Sequence, residues 1–297
     1  MQKLVECVPN FSEGRRISVI NKIADAAKKI KGVRVLDIEW DKSHNRSLMS
    51  LVGAPEPVLR AAFEMIKVAT KLIDMKKHKG EHPRIGATDV VPFVPVSGVS
   101  VRECVLLSNK LAKRVASELK IPVYLYEAAA KRLDRVNLAD VRRGEWEGLK
   151  EEIGKDPNRK PDYGPAKLHP TAGAMVIGAR KYLIAFNVNL DTKSVEVAKK
   201  IASSIREKDG GLPGVKALGF EVGGYAQVSM NLVDFEKTNF DETYRAIEKH
   251  AKRLKVGIRS SEIYGMIPLE ALVRSIKKTF KADGFASDQV LEKRLYE

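Results

Sequence analysis

The chain has 297 residues, 44% of them hydrophobic and 31% charged, with a formal net charge of +15. That length and balance suit a globular protein with a sizeable core, and exclude a disordered or fibrous chain. No apolar run is long enough for a bilayer span, and the N-terminus lacks the basic-then-apolar layout of a signal peptide, so a cytoplasmic location with no membrane partner is expected.

Leu4, Val5, Cys7 and Val8 read as a short strand stopped by Pro9. Ile17, Ile20, Ile23, Ala24, Ala27 and Ile30 then recur at helical spacing, and Gly32 ends that helix. Residues 33–39 alternate as a strand, 41–44 turn, and 47–52 return as the second strand of a hairpin. An amphipathic helix follows over 55–73. Farther on, 90–96 read as a strand, 101–119 as a helix, 123–126 as a strand and 131–143 as a further helix. Residues 155–174 carry Pro157, Pro161, Gly164, Pro165, Pro170 and Gly173. An irregular stretch of that length inside a compact domain is read as functional.

The remainder predicts a strand at 182–188 and a helix at 192–206 capped by Asp191 or Thr192. A hairpin over 215–222 and 226–233 turns at Gly223-Gly224, followed by a helix at 239–254 and a strand at 256–263. The order strand, helix, strand, strand, helix appears twice. The pattern predicts an α/β (α+β) protein of two ferredoxin-like split βαβ subdomains with mixed sheets, residues 1–178 and 179–297.

The densest chemistry lies in Gly80-Glu81-His82-Pro83-Arg84-Ile85-Gly86-Ala87-Thr88-Asp89. Pro83 restricts His82 to an extended backbone, which aims its imidazole. Histidine titrates near neutrality and is the usual general base, while the planar fork of Arg84 suits a carboxylate. The competing reading is a hydrogen-bonded turn histidine. Asp37, Glu39 and Asp41 share one strand face and precede His44-Asn45-Arg46. Such a row orients a histidine, holds a metal or forms a solvated sheet face. His169 lies within the Pro/Gly stretch, in reach of a ligand or within the turn itself; His78 and His250 read as surface or capping groups. Cys7 and Cys104 form neither a metal-site spacing nor a disulfide framework and read as buried thiols. The basic residues are dispersed over helical faces with no aromatic stacking cluster, which argues against nucleic acid. No Walker loop, dinucleotide fingerprint or serine elbow occurs.

Leu4-Val5-Glu6-Cys7-Val8-Pro9-Asn10-Phe11-Ser12-Glu13-Gly14 resembles the opening of glutamate formimidoyltransferases, the formiminotransferase domain of formimidoyltransferase-cyclodeaminases, here in a monofunctional form. The blocks at 80–87, 89–93, 122–126, 161–165, 178–187 and 227–232 are similar to that family's and follow its order. The resemblance implies transfer of a formimino group between N-formimino-L-glutamate and tetrahydrofolate, in histidine degradation and one-carbon metabolism. It implies a ligand tunnel between the halves, a homodimer, and tetrahydrofolate as co-substrate, whose polyglutamylated tail the +15 charge suits. No metal is implied. His82 would be the general base, with Asp37 or Glu39 orienting it and Arg84 binding substrate carboxylates. Folate would contact Gly164, Pro165, Ala166, Lys167, Leu168, His169, Pro170, Thr171, Ala172 and Gly173. The cyclodeaminase activity is expected to be missing. Glu39 stands where animal members carry aspartate, and His44 where they carry a smaller residue. Formyl transfer from 5-formyltetrahydrofolate and a non-catalytic folate-binding role are the alternatives within this reading.

Overall fold

The computed structural model describes residues 2–296. The chain divides into two compact units meeting in sequence at Arg180 and Lys181. Among the described residues no helix is long and apolar enough to cross a membrane.

The first unit runs β1 (Leu4–Cys7), β2 (Asn10–Phe11), α1 (Ile17–Lys28), β3 (Val33–Asp41), β4 (Arg46–Gly53), α2 (Pro55–Leu72), β5 (Thr88–Ser97), α3 (Val101–Arg114), β6 (Val123–Glu127), α4 (Leu138–Val141), α5 (Glu145–Glu152) and β7 (Met175–Ala179). Its seven strands form one mixed sheet. β1 and β2 are a single strand broken around Pro9, because both pair antiparallel with β4 on one side and β5 on the other. β3 flanks β4, while β7 pairs parallel with β5 and with β6.

Strand alternation divides the side chains between two cores. Cys7, Leu51, Val91, Phe93, Leu125 and Ile177 pack with the apolar stripes of α1, α2 and α3. Their neighbours Val90, Tyr124, Tyr126 and Val176 point the other way and cluster with Val141 near α4 and Leu149 and Ile153 near α5. The sheet is thus covered by helices on one face, and on the other by the short helices beside β5, β7 and β6. A capping box, Ser100 with Glu103, opens α3.

The second unit runs β8 (Ile184–Leu190), α6 (Val195–Ile205), β9 (Val215–Val222), β10 (Tyr225–Leu232), α7 (Phe240–Arg253), β11 (Ile258–Tyr264), α8 (Leu269–Phe280) and α9 (Leu291–Tyr296). Its four-stranded antiparallel sheet has the order β11-β8-β10-β9. Ile184, Phe186, Val188 and Leu190 alternate inward against Ile201 of α6 and Ile247 of α7. Gly223 and Gly224 both take positive φ, +57° and +81°, the twist a two-residue hairpin turn needs.

Three expectations need correction. The helix over 131–143 is only a 3₁₀ turn at Leu133–Arg135 and the four-residue α4. The 101–119 helix changes to a π turn at Val115–Leu119. The cap of α6 is Ser194 rather than Asp191 or Thr192, and it makes no side-chain cap bond. β7 runs through Ala179, which pairs with Phe93 and Glu127, and the two units divide after Arg180.

Candidate active site

The segment between α2 and β5, which carries His82, is pinned from several directions. Ser12 donates its N–H to Ala87 O at 2.9 Å and its hydroxyl to Gly86 O at 2.8 Å. Asn45, in the tight turn before β4, receives Gly14 N–H on Oδ1 at 2.9 Å and donates Nδ2 to Lys79 O at 3.0 Å. No side chain fits at Gly14 or Gly80: an added Cβ would stand 2.0 Å from Asp41 O and 2.2 Å from His44 O. The N-terminal motif and the His44-Asn45-Arg46 turn therefore form a mould for the histidine segment.

The same segment is clasped to the Pro/Gly stretch. Ala87 N–H donates to Ala172 O at 2.8 Å, Ala174 N–H to Ile85 O at 2.9 Å and Met75 N–H to Thr171 O at 2.8 Å. Gly86 faces Gly173 in an isolated bridge, and a Cβ on Gly86 would meet Ala174 O at 1.8 Å. The two segments singled out in the sequence are thus brought together within one unit. Ala166, Lys167, Leu168, His169 and Pro170 line a cavity of about 540 Å³ with Trp146. Gly164 and Gly173 take positive φ, +89° and +72°, which fixes where the stretch turns. His169 closes the turn: its Nδ1 accepts Ala172 N–H at 3.0 Å. Pro165 is exposed and Thr171 half-buried.

His82 Nδ1 lies 2.7 Å from Pro83 O. A carbonyl oxygen only accepts, so Nδ1 carries the hydrogen and Nε2 holds the lone pair. Burial, then the charges of Arg46 and Arg142, push its pKa down to about 3, against the opposing pull of Asp89. The ring is therefore neutral, and Nε2 is available to take a proton. The His44 ring stands edge-on with its centroid 6.1 Å away.

Asp89 is fully buried at the start of β5. Its Oδ2 accepts from Arg46 at 2.8 Å and from Arg142 at 2.5 Å, and its Oδ1 from Ile85 N–H at 2.9 Å. Burial alone would raise its pKa, but Arg142 and Arg46 outweigh that and hold it at about 2.

The other expected residues make contacts of their own. Arg84 has its fork filled: Nη1 donates to Glu145 and Glu147 at 2.7 and 2.8 Å, and Nη2 to Glu147 at 2.7 Å. Its Nε donates to His78 Nδ1 at 3.3 Å, while His78 Nε2 lies 2.9 Å from Asn45 O. Arg84 thus ties the histidine segment to α5 rather than presenting an open fork. Asp37 accepts its neighbour Ile38 N–H at 2.8 Å, and Asp41 accepts His44 N–H at 2.6 Å. Asp37 and Glu39 lie on β3 opposite Ser50 and Leu48, at the outer edge of the sheet. Asp89 is a carboxylate whose charge bears on His82. Asp89 closed the sequence motif without being singled out, and Arg46 was noted only as part of a turn. Arg142, Glu145 and Glu147 carry no local signal, because only the tertiary fold brings them to the histidine segment.

The family model described as "Formiminotransferase domain, N-terminal subdomain" matches residues 4–180, and the one described as "Formiminotransferase domain" matches 185–287. The chain is 46% identical over 298 residues to a glutamate formimidoyltransferase of Streptococcus pyogenes serotype M1, covering 99% of both chains. It is 47% identical over 296 residues to that of Thermoplasma acidophilum, covering 98% of this chain and 97% of the relative. The formimidoyltransferase-cyclodeaminase of Rattus norvegicus is 44% identical over 281 residues, 92% of this chain but 52% of that protein.

Proposed function

The chain belongs to the formiminotransferase family, and we propose from that premise how its site works as a glutamate formimidoyltransferase. The enzyme moves the formimino group between N-formimino-L-glutamate and tetrahydrofolate. The observation that carries the residue roles is the neutral His82 with its Nε2 lone pair, on a segment clasped to residues 171–174.

Tetrahydrofolate N5 attacks the formimino carbon and a C–N bond forms, giving a tetrahedral intermediate. The attacking nitrogen loses its proton to His82 Nε2. The imidazolium then returns the proton to the glutamate nitrogen as its bond to carbon breaks. Asp89 supplies the negative charge that favours the imidazolium, the part first expected of Asp37 or Glu39. Arg84 positions the segment by holding α5. Residues 164–173 form the folate contact, supported by the cavity that Ala166–Pro170 line. Two bound reactants held together account for much of the remaining acceleration.

The finer organisation belongs to the same proposal. Ferredoxin-like split βαβ units are supported by two strand orders, β3-β4-β1/β2-β5 and β11-β8-β10-β9. A polyglutamylated folate is supported by the net charge of +15. The ligand tunnel, the homodimer and the cytoplasmic location are part of the proposal, supported by the family resemblance alone.

The test is a coupled assay with formiminoglutamate and tetrahydrofolate, read after acid conversion of the product to its methenyl chromophore. His82→Ala is expected to lower kcat roughly 10²–10⁴-fold. Full activity in that variant overturns the assignment of the base.

A further inference from the structure

Asp89 carries one negative charge against the two guanidiniums of Arg46 and Arg142, so the cluster beside His82 keeps an excess positive charge. The two arginines differ in how they are satisfied. Arg46 donates one terminal nitrogen to Asp89 and the other to Asn10 Oδ1 at 2.8 Å. Arg142 donates only Nη2, to Asp89. Its buried Nε–H has no partner among the described residues, although its side chain is only 11% exposed. A mostly buried guanidinium left under-bonded is unfavourable, and such a group calls for an explanation. Other arginines nearby have further anions or carbonyls to meet: Arg84 is filled by Glu145 and Glu147, Arg135 by Asp162 and two carbonyls, and Arg159, whose Nε also lacks a hydrogen bond, has Glu152 2.9 Å from that nitrogen.

We propose that Arg142, propped by Asp89, receives a carboxylate of the amino-acid substrate and so sets the formimino carbon against His82 Nε2. The proposal rests on the formimidoyltransferase reading and deepens it. Formiminoglutamate brings two carboxylates, and the fork of Arg84 is taken. A guanidinium with donors still to satisfy and a side chain held in place by a buried carboxylate is suited to that anion. Arg142 follows α4, and the anchor Asp89 opens β5, so the receptor is fixed to the sheet that carries the clasp.

Seating a carboxylate there has a second effect. The groups around His82 are Arg46 from β4, Arg142 after α4, Asp89 from β5, the His44 ring and the Pro83 carbonyl. The two cations hold its basicity down. An arriving carboxylate cancels the excess charge, so His82 gains basicity when the amino acid is bound.

The test uses the full chain with Arg142→Gln and Arg142→Lys. Both substrates are varied at steady state, and glutamate binding is measured by calorimetry. In Arg142→Gln, KM for formiminoglutamate and Kd for glutamate are expected to rise roughly 10- to 100-fold. Arg142→Lys, which keeps a cation for Asp89, should give a smaller rise. KM for tetrahydrofolate should stay within about twofold. Loss of a cation beside His82 should also move the acid limb of kcat/KM to higher pH, a change that a merely structural residue does not produce. Unchanged KM and Kd in both variants overturn the proposal. A rise in KM for tetrahydrofolate alone gives the cation to the folate glutamyl group and overturns it too. Should Arg142→Gln fail to fold, wild-type affinity in Arg142→Lys overturns it. Arg142-dependent glutamate binding without wild-type turnover supports the receptor and faults the reaction reading instead.

Discussion

Three histidines near the site have their ring nitrogens assigned by the company they keep. His82 and His78 each place one nitrogen against a backbone carbonyl, which only accepts, so that nitrogen bears the hydrogen. The other nitrogen of His78 then accepts from Arg84, and His169 turns Nδ1 to the Ala172 N–H. Of these three, His82 is left with its lone pair free of a protein donor among the described contacts, as is the neighbouring His44, whose Nδ1 faces Asp41 at 3.0 Å. Geometry thus separates His78 and His169, which are scaffold, from His82, where residue type does not. Glu6 makes a different point. It is 4% exposed, and burial raises its pKa from 4.5 to about 7 despite the opposing charge of Arg180. Between those values the folded chain holds a proton that the unfolded chain has lost. Stability from this group is therefore full below pH 4.5 and lost as pH rises through 7. Glu6→Gln is expected to abolish that decline and to melt above the wild type at pH 8, by roughly 1–3 kcal/mol at the midpoint. Thermal melts across pH check it; a parallel decline in both proteins counts against it.

Among the elements, those with a strict period were readable from the chain. α1, α2, the two hairpins and the β9–β10 turn follow from apolar spacing and from paired glycines. The false helix at 131–143 shows where period misleads. Leu133 is 93% exposed, so its apolar side chain faces no core. Arg135 is buried instead, bonded to Asp162 and to the carbonyls of Asn158 and Lys160. A buried polar anchor overrode the apolar pattern. β7 is hidden in the sequence because it follows a Pro/Gly stretch, and nothing local says that it enters the sheet between β5 and β6. The site divided the same way: the 80–89 and 164–173 segments were legible as motifs, whereas the Asp89–Arg142 pair needed the fold. The glycines allow a prediction with opposite signs. Gly86→Ala places a Cβ 1.8 Å from Ala174 O and is expected to destabilise by more than about 3 kcal/mol. Gly148→Ala, within α5 and with nothing in reach of its Cβ, is expected to stabilise by about 0.5–1 kcal/mol. Denaturant midpoints of the two variants decide both.

At the scale of the whole molecule, the charge is the plainest message of the composition. An excess of 15 positive charges creates a field that attracts a polyanionic folate tail and is screened by salt. KM for a pentaglutamyl tetrahydrofolate is expected to rise severalfold between about 50 and about 300 mM salt, and KM for the monoglutamate to change little. Equal salt dependence for the two would remove the tail from the account of the charge. Relatives matching almost the whole chain share the family at 46–47% identity.

The clasp also puts the site on a timetable. The His82 segment leaves the ribosome long before the residues that hold it, since Ala172, Gly173 and Ala174 lie beyond α3, β6 and α5. At about 5–20 residues per second, the nascent histidine loop waits several seconds for its fastening strand. The parallel pairing of β5 with β7 that closes it is a distant contact, of the kind that forms slowly. Until then the histidine segment has the residues of its mould, Ser12, Gly14 and Asn45, but not its clasp.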